Sequence, residues 1–239
     1  MIIAITGRLQ DTHGNCRIAG AGKDEVAKVL AQHGFVSVAF SDVMKRWCRD
    51  LFSFTDDQLW GKSETRAEPD QRFPRVVPSF DVGDAFEASR LGIPDPGKVE
   101  YLTPRYALQR LGDWGRDCQP DVWANKALDI AKRLLTNSIR YTPQGGVLYG
   151  GTNIPEKVAK GIVIPDCRFR NEFERVKEEG GKVLLVERHC EEFPTKMDDS
   201  HISERDILEW GNDVFDHVIE NVGDLERLRS DTEKLIALL

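Results

Sequence analysis

The sequence lacks the features that mark disulfide-rich, zinc-binding and membrane-spanning proteins. Its five cysteines are odd in number and scattered, and none forms a C-x-x-C pair, so neither a disulfide framework nor a zinc site is predicted. No apolar run approaches the roughly 20 residues that a membrane span requires, and no signal-like segment opens the chain. We therefore expect reduced thiols and a cytoplasmic protein without a membrane partner.

Positive charge is also scarce. The chain has 33 Lys and Arg residues against 40 Asp and Glu residues, which gives a formal net charge of -7. Proteins that mainly hold nucleic acid need a basic surface, so no nucleic-acid partner is expected. Any anionic ligand must then be met by a local group of arginines. The 239 residues, 40% of them hydrophobic, are enough for one large domain with a substantial core.

Short apolar runs alternate with helical patterns, which predicts an α/β fold. The predicted strands cover residues 2–6, 36–40, 161–165, 182–187 and 216–220. The predicted helices cover residues 24–32, 43–51, 103–111, 121–139, 171–179 and 224–239. This order indicates a five-stranded parallel sheet with helices on both faces, in a single domain that spans residues 1–239.

Two segments lie outside this pattern. Residues 55–100 are rich in Pro, Gly and charge, and they form either a disordered linker or an ordered, irregular and partly helical insertion. The ordered form would act as a lid or substrate-binding segment. Residues 144–156 are predicted to be a loop.

A glycine-rich turn leads from the first predicted strand into the first helix. Gly7 follows the strand, and the letters AGAGKD place Gly22, Lys23 and Asp24 where the helix begins. Backbone N–H groups of such a turn can wrap a triphosphate, while the lysine reaches the β- and γ-phosphates. A plain tight turn before a helix is the alternative interpretation.

This turn departs from the G-x-x-x-x-G-K pattern in two ways. Fourteen residues separate Gly7 from Gly22 where the pattern has four, so about ten residues, 9–18, are inserted. We predict that they bulge outward and leave the AGAGKD end intact. Asp24 stands where Ser or Thr usually meets Mg²⁺, and its carboxylate is a hard oxygen ligand that suits this ion.

Two arginine-containing segments supply candidates for binding a second phosphate group. TPRYALQRLGDWGRD carries Arg105, Arg110 and Arg116, with Gln109 one helical turn beyond Arg105. Arginine binds phosphate in a bidentate manner and stabilises a phosphoryl group in transfer. We favour Arg105 for this role, although any single arginine of the segment is also explained as a solvated surface residue.

The second segment is IPDCRFRNEFE, directly after the predicted strand at 161–165. Asp166, Arg168 and Glu172 lie beyond the carboxyl end of this strand, where ligands of open α/β sheets bind. A self-satisfied salt-bridge network among the three is the alternative. His201, in HISERD, receives no catalytic role, because transfer to a phosphate acceptor needs no histidine base.

The motifs AGAGKD, SDVMK, TPRYALQRLG, DVW, IPDCRFRNEFE, DSHISE and FDHVIENVGDLERL occur in one order over nearly the whole chain. As an ordered set they resemble the bacteriophage deoxynucleoside monophosphate kinases. The resemblance implies a P-loop kinase fold, ATP as cosubstrate, Mg²⁺ as cofactor, and transfer of the γ-phosphate to a deoxynucleoside monophosphate (dNMP). The products would be dNDP and ADP, made in the host-cell cytoplasm if a phage encodes the chain.

The resemblance also implies site residues, position by position. On the ATP side fall Gly20, Ala21, Gly22, Lys23, Asp24 and Glu25, with Asp24 as the magnesium ligand. On the monophosphate side fall Lys45, Arg105, Gln109, Gly112, Trp123, Asp166, Arg168 and Glu172, together with Arg66 or Arg72. The expected catalytic residues are Lys23, Arg105, Asp166 and Arg168. An ordinary exposed lysine is the alternative for Lys45.

Other functions fit the same motifs. One is another small-molecule kinase of this fold, such as a dephospho-coenzyme A or ribonucleotide kinase. Another is a nucleotide-binding protein in which the insertion at 9–18 prevents catalysis. Base specificity, discrimination between deoxyribose and ribose, and a homodimeric state are left open by the sequence.

Overall fold

The computed structural model describes residues 1–18, 20–78, 97–149, 159–191 and 209–238. In these ranges the chain is a mixed α/β protein with eight α-helices and ten strands. The strands are β1 (Ile2–Asp11), β2 (Cys16–Arg17), β3 (Phe35–Ser37), β4 (Pro74–Val77), β5 (Lys98–Tyr101), β6 (Ile139–Thr142), β7 (Gly146–Tyr149), β8 (Gly161–Ile164), β9 (Lys182–Cys190) and β10 (His217–Glu220). The helices are α1 (Lys23–Gln32), α2 (Asp42–Phe52), α3 (Asp56–Trp60), α4 (Ser63–Ala67), α5 (Pro104–Cys118), α6 (Val122–Leu135), α7 (Arg170–Glu178) and α8 (Leu225–Leu238).

The chain divides into two compact units. Unit 1 comprises Met1–Val43 and Gly115–Leu239, and unit 2 comprises Met44–Trp114. The division falls within helices α2 and α5, so each of these helices contributes residues to both units. The insertion predicted at 55–100 is part of unit 2. Its role as a lid stays a prediction.

Unit 1 contains the central sheet, which is mostly parallel. The strand order is β10-β9-β1-β8-β3, and every neighbouring pair on this path is parallel. Each of these five strands overlaps a predicted one, although β3 ends at Ser37 rather than at residue 40 and β1 extends to Asp11. The sheet has a sixth strand that was not predicted, because the two-residue β2 pairs antiparallel with β1.

Alternate side chains of β1 pack into two separate cores, one on each face of the sheet. Ile3 and Ile5 contact residues of α1 and α8, whereas Ile2 and Ala4 belong to a cluster with residues of α6 and α7. Successive side chains of a strand point to opposite faces, so helices cover both faces of the sheet. Complete burial of an isoleucine contributes about 1.5–3 kcal/mol, and Ile3 and Ile5 are both fully buried.

The structure corrects two sequence predictions near residue 140. The helix predicted at 121–139 ends at Leu135, and Asn137 has the left-handed backbone angle φ of +52° that helices do not continue through. Within the loop predicted at 144–156, residues 146–149 instead form β7, which pairs with β6 in an antiparallel hairpin. Alternating burial in β6, with Ile139 and Tyr141 inside, explains why this segment forms a strand. Residues 150–156 lie outside the described ranges.

Unit 2 has its own small core, formed by Cys48, Phe54, Leu59 and Ala107. Phe52 and Phe73 pack on Phe54 with ring centroids 5.3 and 5.9 Å away. Helix α3 starts at a capping box in which Thr55 and Gln58 satisfy each other's backbone N–H groups. Residues 55–78 are therefore ordered, which excludes the linker interpretation for this stretch, while residues 79–96 lie outside the described ranges.

No helix in the described part of the chain is long and apolar enough to cross a membrane.

Candidate functional site

The inserted residues 9–18 form a β-hairpin. Strand β1 continues past the predicted end at Thr6 to Asp11, and β2 returns antiparallel to it with Leu9 opposite Arg17. The carboxylate of Asp11 closes the turn by accepting hydrogen bonds from the backbone N–H groups of His13 and Asn15, at 2.9 and 2.8 Å. The insertion is thus an ordered extension of the sheet.

This hairpin returns the chain to Gly7. A Cβ atom at Gly7 would lie 2.8 Å from the carbonyl oxygen of Ile18 and 3.0 Å from the Cβ of Ala21. Only glycine allows the backbone of the returning segment to approach so closely. The two ends of the interrupted glycine motif are therefore adjacent in space, although fourteen residues separate Gly7 and Gly22 in the sequence.

The returning segment then forms the turn before α1. Gly20 and Gly22 have φ angles of +88° and +105°, in the left-handed region that favours glycine. Lys23 opens the helix and is only 7% exposed, whereas Asp24 is exposed in the first turn. The Lys23 stem lies near Gly7, since its Cδ is 3.7 Å from the position of a Cβ there. A glycine turn, a helix N-terminus and a lysine are the parts that bind phosphate groups in other proteins.

Two further residues hold this turn and the helix after it. Asn221 directly follows β10 and donates its side-chain amide to the carbonyl of Ala21 at 2.8 Å. The carboxylate of Glu25 accepts hydrogen bonds from Lys28 and Arg229, and the bond from Lys28 is the main reason that the pKa of Glu25 is below its ordinary value. Sequence reasoning missed Asn221, whose one signal is its place at the end of a parallel strand.

Asp166 lies just beyond β8 and holds the loop that follows β3. Its carboxylate accepts hydrogen bonds from the backbone N–H groups of Phe40 and Ser41 at 2.9 and 3.0 Å, and from the Ser41 hydroxyl at 2.7 Å. Asp42 completes this arrangement, because it accepts hydrogen bonds from the N–H of Ala39 and from the buried hydroxyl of Tyr141. The two carboxylates together hold residues 39–41, which lead into α2.

Glu172 is enclosed in the protein rather than presented to solvent. It is 5% exposed, and its Oε2 accepts hydrogen bonds from the N–H groups of Arg168 and Phe169 at 2.8 and 3.2 Å. Burial, with a smaller effect of the Asp166 carboxylate, raises the pKa of Glu172 to about 8. The guanidinium of Arg116 lies 4.1 Å from the centroid of the Phe169 ring, so this arginine also reaches the segment after β8.

Trp123 is a buried residue of α6 that packs against α5. A Cβ atom at Gly115 would lie 2.2 Å from Cζ2 of the indole, so the two helices meet at a contact that requires glycine. The described contact is a packing contact between helices, and the place of Trp123 on the monophosphate side stays a prediction.

Unit 2 carries the remaining candidates, and two of its arginines bind the segment around α4. Arg105 on α5 donates a hydrogen bond to the hydroxyl of Ser63, and Arg66 donates to the carbonyl of Gly61 at 2.8 Å. These two hydrogen bonds hold both guanidinium groups near the start of α4.

Arg72 has different surroundings. It donates two hydrogen bonds to the carboxylate of Asp70, at 2.9 and 2.6 Å, and this pairing holds the pKa of Asp70 well below its usual range. Lys45 and Arg49, one turn apart on α2, both lie over the ring of Trp60, at 5.7 and 5.8 Å from its centroid. The final two candidates, Gln109 and Gly112, are half-buried and buried residues of α5.

The mostly parallel α/β fold is consistent with a kinase-like protein. No family model matches the chain. The chain is similar to a protein of Acanthamoeba polyphaga mimivirus named "Putative deoxynucleotide monophosphate kinase", with 27% identity over 189 residues that cover 79% of this chain and 77% of the viral protein. This similarity supports a nucleotide kinase function. The relative is viral but does not come from a bacteriophage. The resemblance to the bacteriophage kinases therefore stays a prediction.

Proposed function

We propose that this protein is a deoxynucleoside monophosphate kinase, which transfers the γ-phosphate of ATP to a dNMP and releases dNDP and ADP. The observation that carries the proposal is the glycine turn, in which Ile18 and Ala21 pack on Gly7 shortly before Lys23 and α1. The name of the mimivirus relative supports a deoxynucleotide as the acceptor.

In unit 1 the proposal assigns the ATP phosphates to the glycine turn. Backbone N–H groups of Gly20, Ala21 and Gly22 would cradle them, and Lys23 would neutralise charge on the β- and γ-phosphates. Lys23 is largely buried, which strengthens its attraction to an anion, because the surroundings screen charge less than water does.

Asp24 is the proposed magnesium ligand, and its exposure in the first turn of α1 fits that role. Within the described ranges no three His, Cys, Asp or Glu side chains group together as a protein-only metal site would. Magnesium is commonly held by one or two carboxylates together with substrate phosphates, so a single aspartate beside a phosphate loop is a suitable donor. When bound, the ion would neutralise phosphate charge during transfer.

In unit 2 the proposal assigns Arg105 and Arg66 to the acceptor phosphate, with Lys45, Gln109 and Gly112 as further residues of the monophosphate side. Arg66 is preferred to Arg72, because the guanidinium of Arg72 is engaged by a carboxylate in a bidentate pair.

In unit 1 Arg168 remains a proposed phosphate-binding residue. Asp166 and Glu172 are assigned as positioning residues, because both accept hydrogen bonds from the backbone of neighbouring loops. The protein would thus act by positioning and by charge stabilisation, which suffices when the acceptor is itself a phosphate oxygen.

A coupled ADP-release assay tests the proposal with ATP, Mg²⁺ and each of dAMP, dGMP, dCMP, dTMP, AMP and GMP. We expect turnover on at least one deoxynucleotide that falls by roughly 100-fold or more in Lys23→Ala. Lys234→Ala is the control, because this lysine of α8 has a side chain that is 72% exposed and pairs with Asp231, and its substitution should leave turnover unchanged. A flat panel with intact ATP binding would make the chain a nucleotide-binding protein, and turnover on AMP or GMP alone would make it a ribonucleotide kinase.

A further inference from the structure

We infer that Arg17 is an additional phosphate-binding residue for ATP, brought to the glycine turn by the inserted β1–β2 hairpin. The inference rests on the proposed function and adds to its ATP side a residue that lies outside the G-x-x-x-x-G-K pattern.

The position of Arg17 follows from the strand register. Arg17 lies directly opposite Leu9, and directly opposed residues of paired strands share a face of the sheet. Leu9 continues the alternation of Ile3, Ile5 and Gly7, so this is the face that α1 covers. Arg17 therefore lies on the side of the sheet where the glycine turn and the N-terminus of α1 are found.

The glycine turn itself contacts the hairpin. The position of a Cβ atom on Gly20 lies 3.2 Å from Cδ2 of Leu9 and 3.8 Å from Nη2 of Arg17. The guanidinium of Arg17 therefore lies beside Gly20, a residue of the proposed phosphate-binding turn.

Burial and chemistry suit the guanidinium to a phosphate group. Arg17 is only 2% exposed, although the hairpin tip at residues 12–15 is exposed. In such surroundings the attraction between a guanidinium and a phosphate is screened far less than at the surface. The planar fork of arginine also matches two phosphate oxygens at once, which a lysine cannot do.

Strand β1 carries a second buried arginine, Arg8. Arg8 belongs to the opposite face, where it pairs with Glu187 at 3.0 Å and donates to Asn212 at 2.7 Å. Its partners anchor the β1 extension to β9 and to the segment before β10. Arg17, on the other face of the sheet, lies beside Gly20 in the turn that is proposed to bind the anion.

Two substitutions test this inference. Arg17→Met keeps a long apolar stem and removes the charge, while Arg17→Lys keeps a charge and removes the fork. Arg188→Met is the matched control, because Arg188 lies opposite Leu9 from the other neighbouring strand, β9, and is exposed. The measurements are KM for ATP and for the dNMP, and the Kd for MgATP by isothermal titration calorimetry.

We expect Arg17→Met to raise KM and Kd for ATP by about tenfold, which corresponds to about 1.4 kcal/mol, with KM for the dNMP changed less than twofold. Arg17→Lys should raise KM and Kd for ATP by about threefold, and Arg188→Met should leave both values unchanged. A merely structural role for Arg17 would lower the thermal stability of the nucleotide-free protein without separating the two KM values. ATP affinity within twofold of wild type, in whichever Arg17 variant folds, overturns the inference.

The wild-type protein provides a measurement that needs no substitution. Hydrogen exchange at the amide of Arg17 should slow by about tenfold when MgATP is bound, and the amide of Arg188 should slow less. An equal degree of slowing at the two amides would contradict the inference. If the wild type binds MgATP but phosphorylates no monophosphate, the proposed function fails while the Kd values still decide the role of Arg17. Failure to bind MgATP at all overturns both.

Discussion

Replacing Glu172 by glutamine should remove a large part of the pH dependence of stability between pH 5 and pH 8. Burial, aided by the Asp166 carboxylate, raises the pKa of Glu172 from 4.5 to about 8, while the N–H groups of Arg168 and Phe169 and the charge of Arg116 act in the opposite direction. Between these two pKa values the folded chain keeps a proton that the unfolded chain has released. The free energy of unfolding therefore decreases as pH rises through this window.

The magnitude follows from the size of the shift. Each pKa unit corresponds to about 1.36 kcal/mol, so the wild type should lose about 3 kcal/mol between pH 5 and pH 8 that the glutamine variant keeps. Glutamine retains an amide oxygen that can accept the two backbone hydrogen bonds, and it has no charge to bury. For a chain of this length the difference corresponds to roughly 6–12 °C in Tm.

Urea or thermal unfolding of the wild type and Glu172→Gln at pH 5, 6, 7 and 8 gives the difference in their free energies of unfolding at each pH. The contributions of other titratable groups cancel in this difference. Glu174→Gln is the control, because Glu174 is exposed on the same helix and pairs with Arg170, and its effect should not vary across this range. Parallel pH curves for the wild type and Glu172→Gln would refute the reasoning, since Glu172 would then be ionised in the folded protein at neutral pH.

Three further substitutions separate positioning from binding. Asp166→Ala removes the acceptor of three hydrogen bonds from the loop after β3, so the free energy of unfolding in urea should fall by about 2–4 kcal/mol. Substitution of a residue that only contacts substrate would leave this free energy unchanged. Arg105→Ala should lower kcat on the order of 10³-fold by analogy with arginine fingers, and a loss below tenfold in a folded variant would remove Arg105 from the site. Arg72→Ala should lower Tm, because Asp70 loses its bidentate partner, and a KM for the dNMP raised more than twofold would restore Arg72 as a binding candidate.

The sheet could be predicted because its strands are buried on both faces. Short apolar runs such as residues 161–165 and 182–187 are typical of such strands, and each of the five predicted strands overlaps an observed one. The ends of helices and strands were harder to predict. Ile139 is buried in strand β6, but in the sequence it follows a helical pattern with no strong stop signal.

The hairpin and the contacts of the carboxylates could not be predicted in the same way. Strand β2 has two residues, so its register with β1 is fixed by tertiary contacts rather than by a local pattern. The spacing of Asp166 and Glu172 placed both after β8, in agreement with the structure. It did not show that both carboxylates accept backbone hydrogen bonds, because that depends on distant residues such as Phe40 and Ser41.

The contiguity of unit 2 affects the order in which the protein can fold during synthesis. Residues 44–114 are made before β8 and β9, which are the two parallel partners of β1. On the ribosome, Ile3 and Ile5 are therefore not yet paired with β8 and β9 when unit 2 can already form its local core around Phe54. Nascent chains stalled at Lys160 should therefore resist trypsin within residues 44–78 and be cut at Arg8, and cleavage at Arg8 should stop once β9 has left the ribosome.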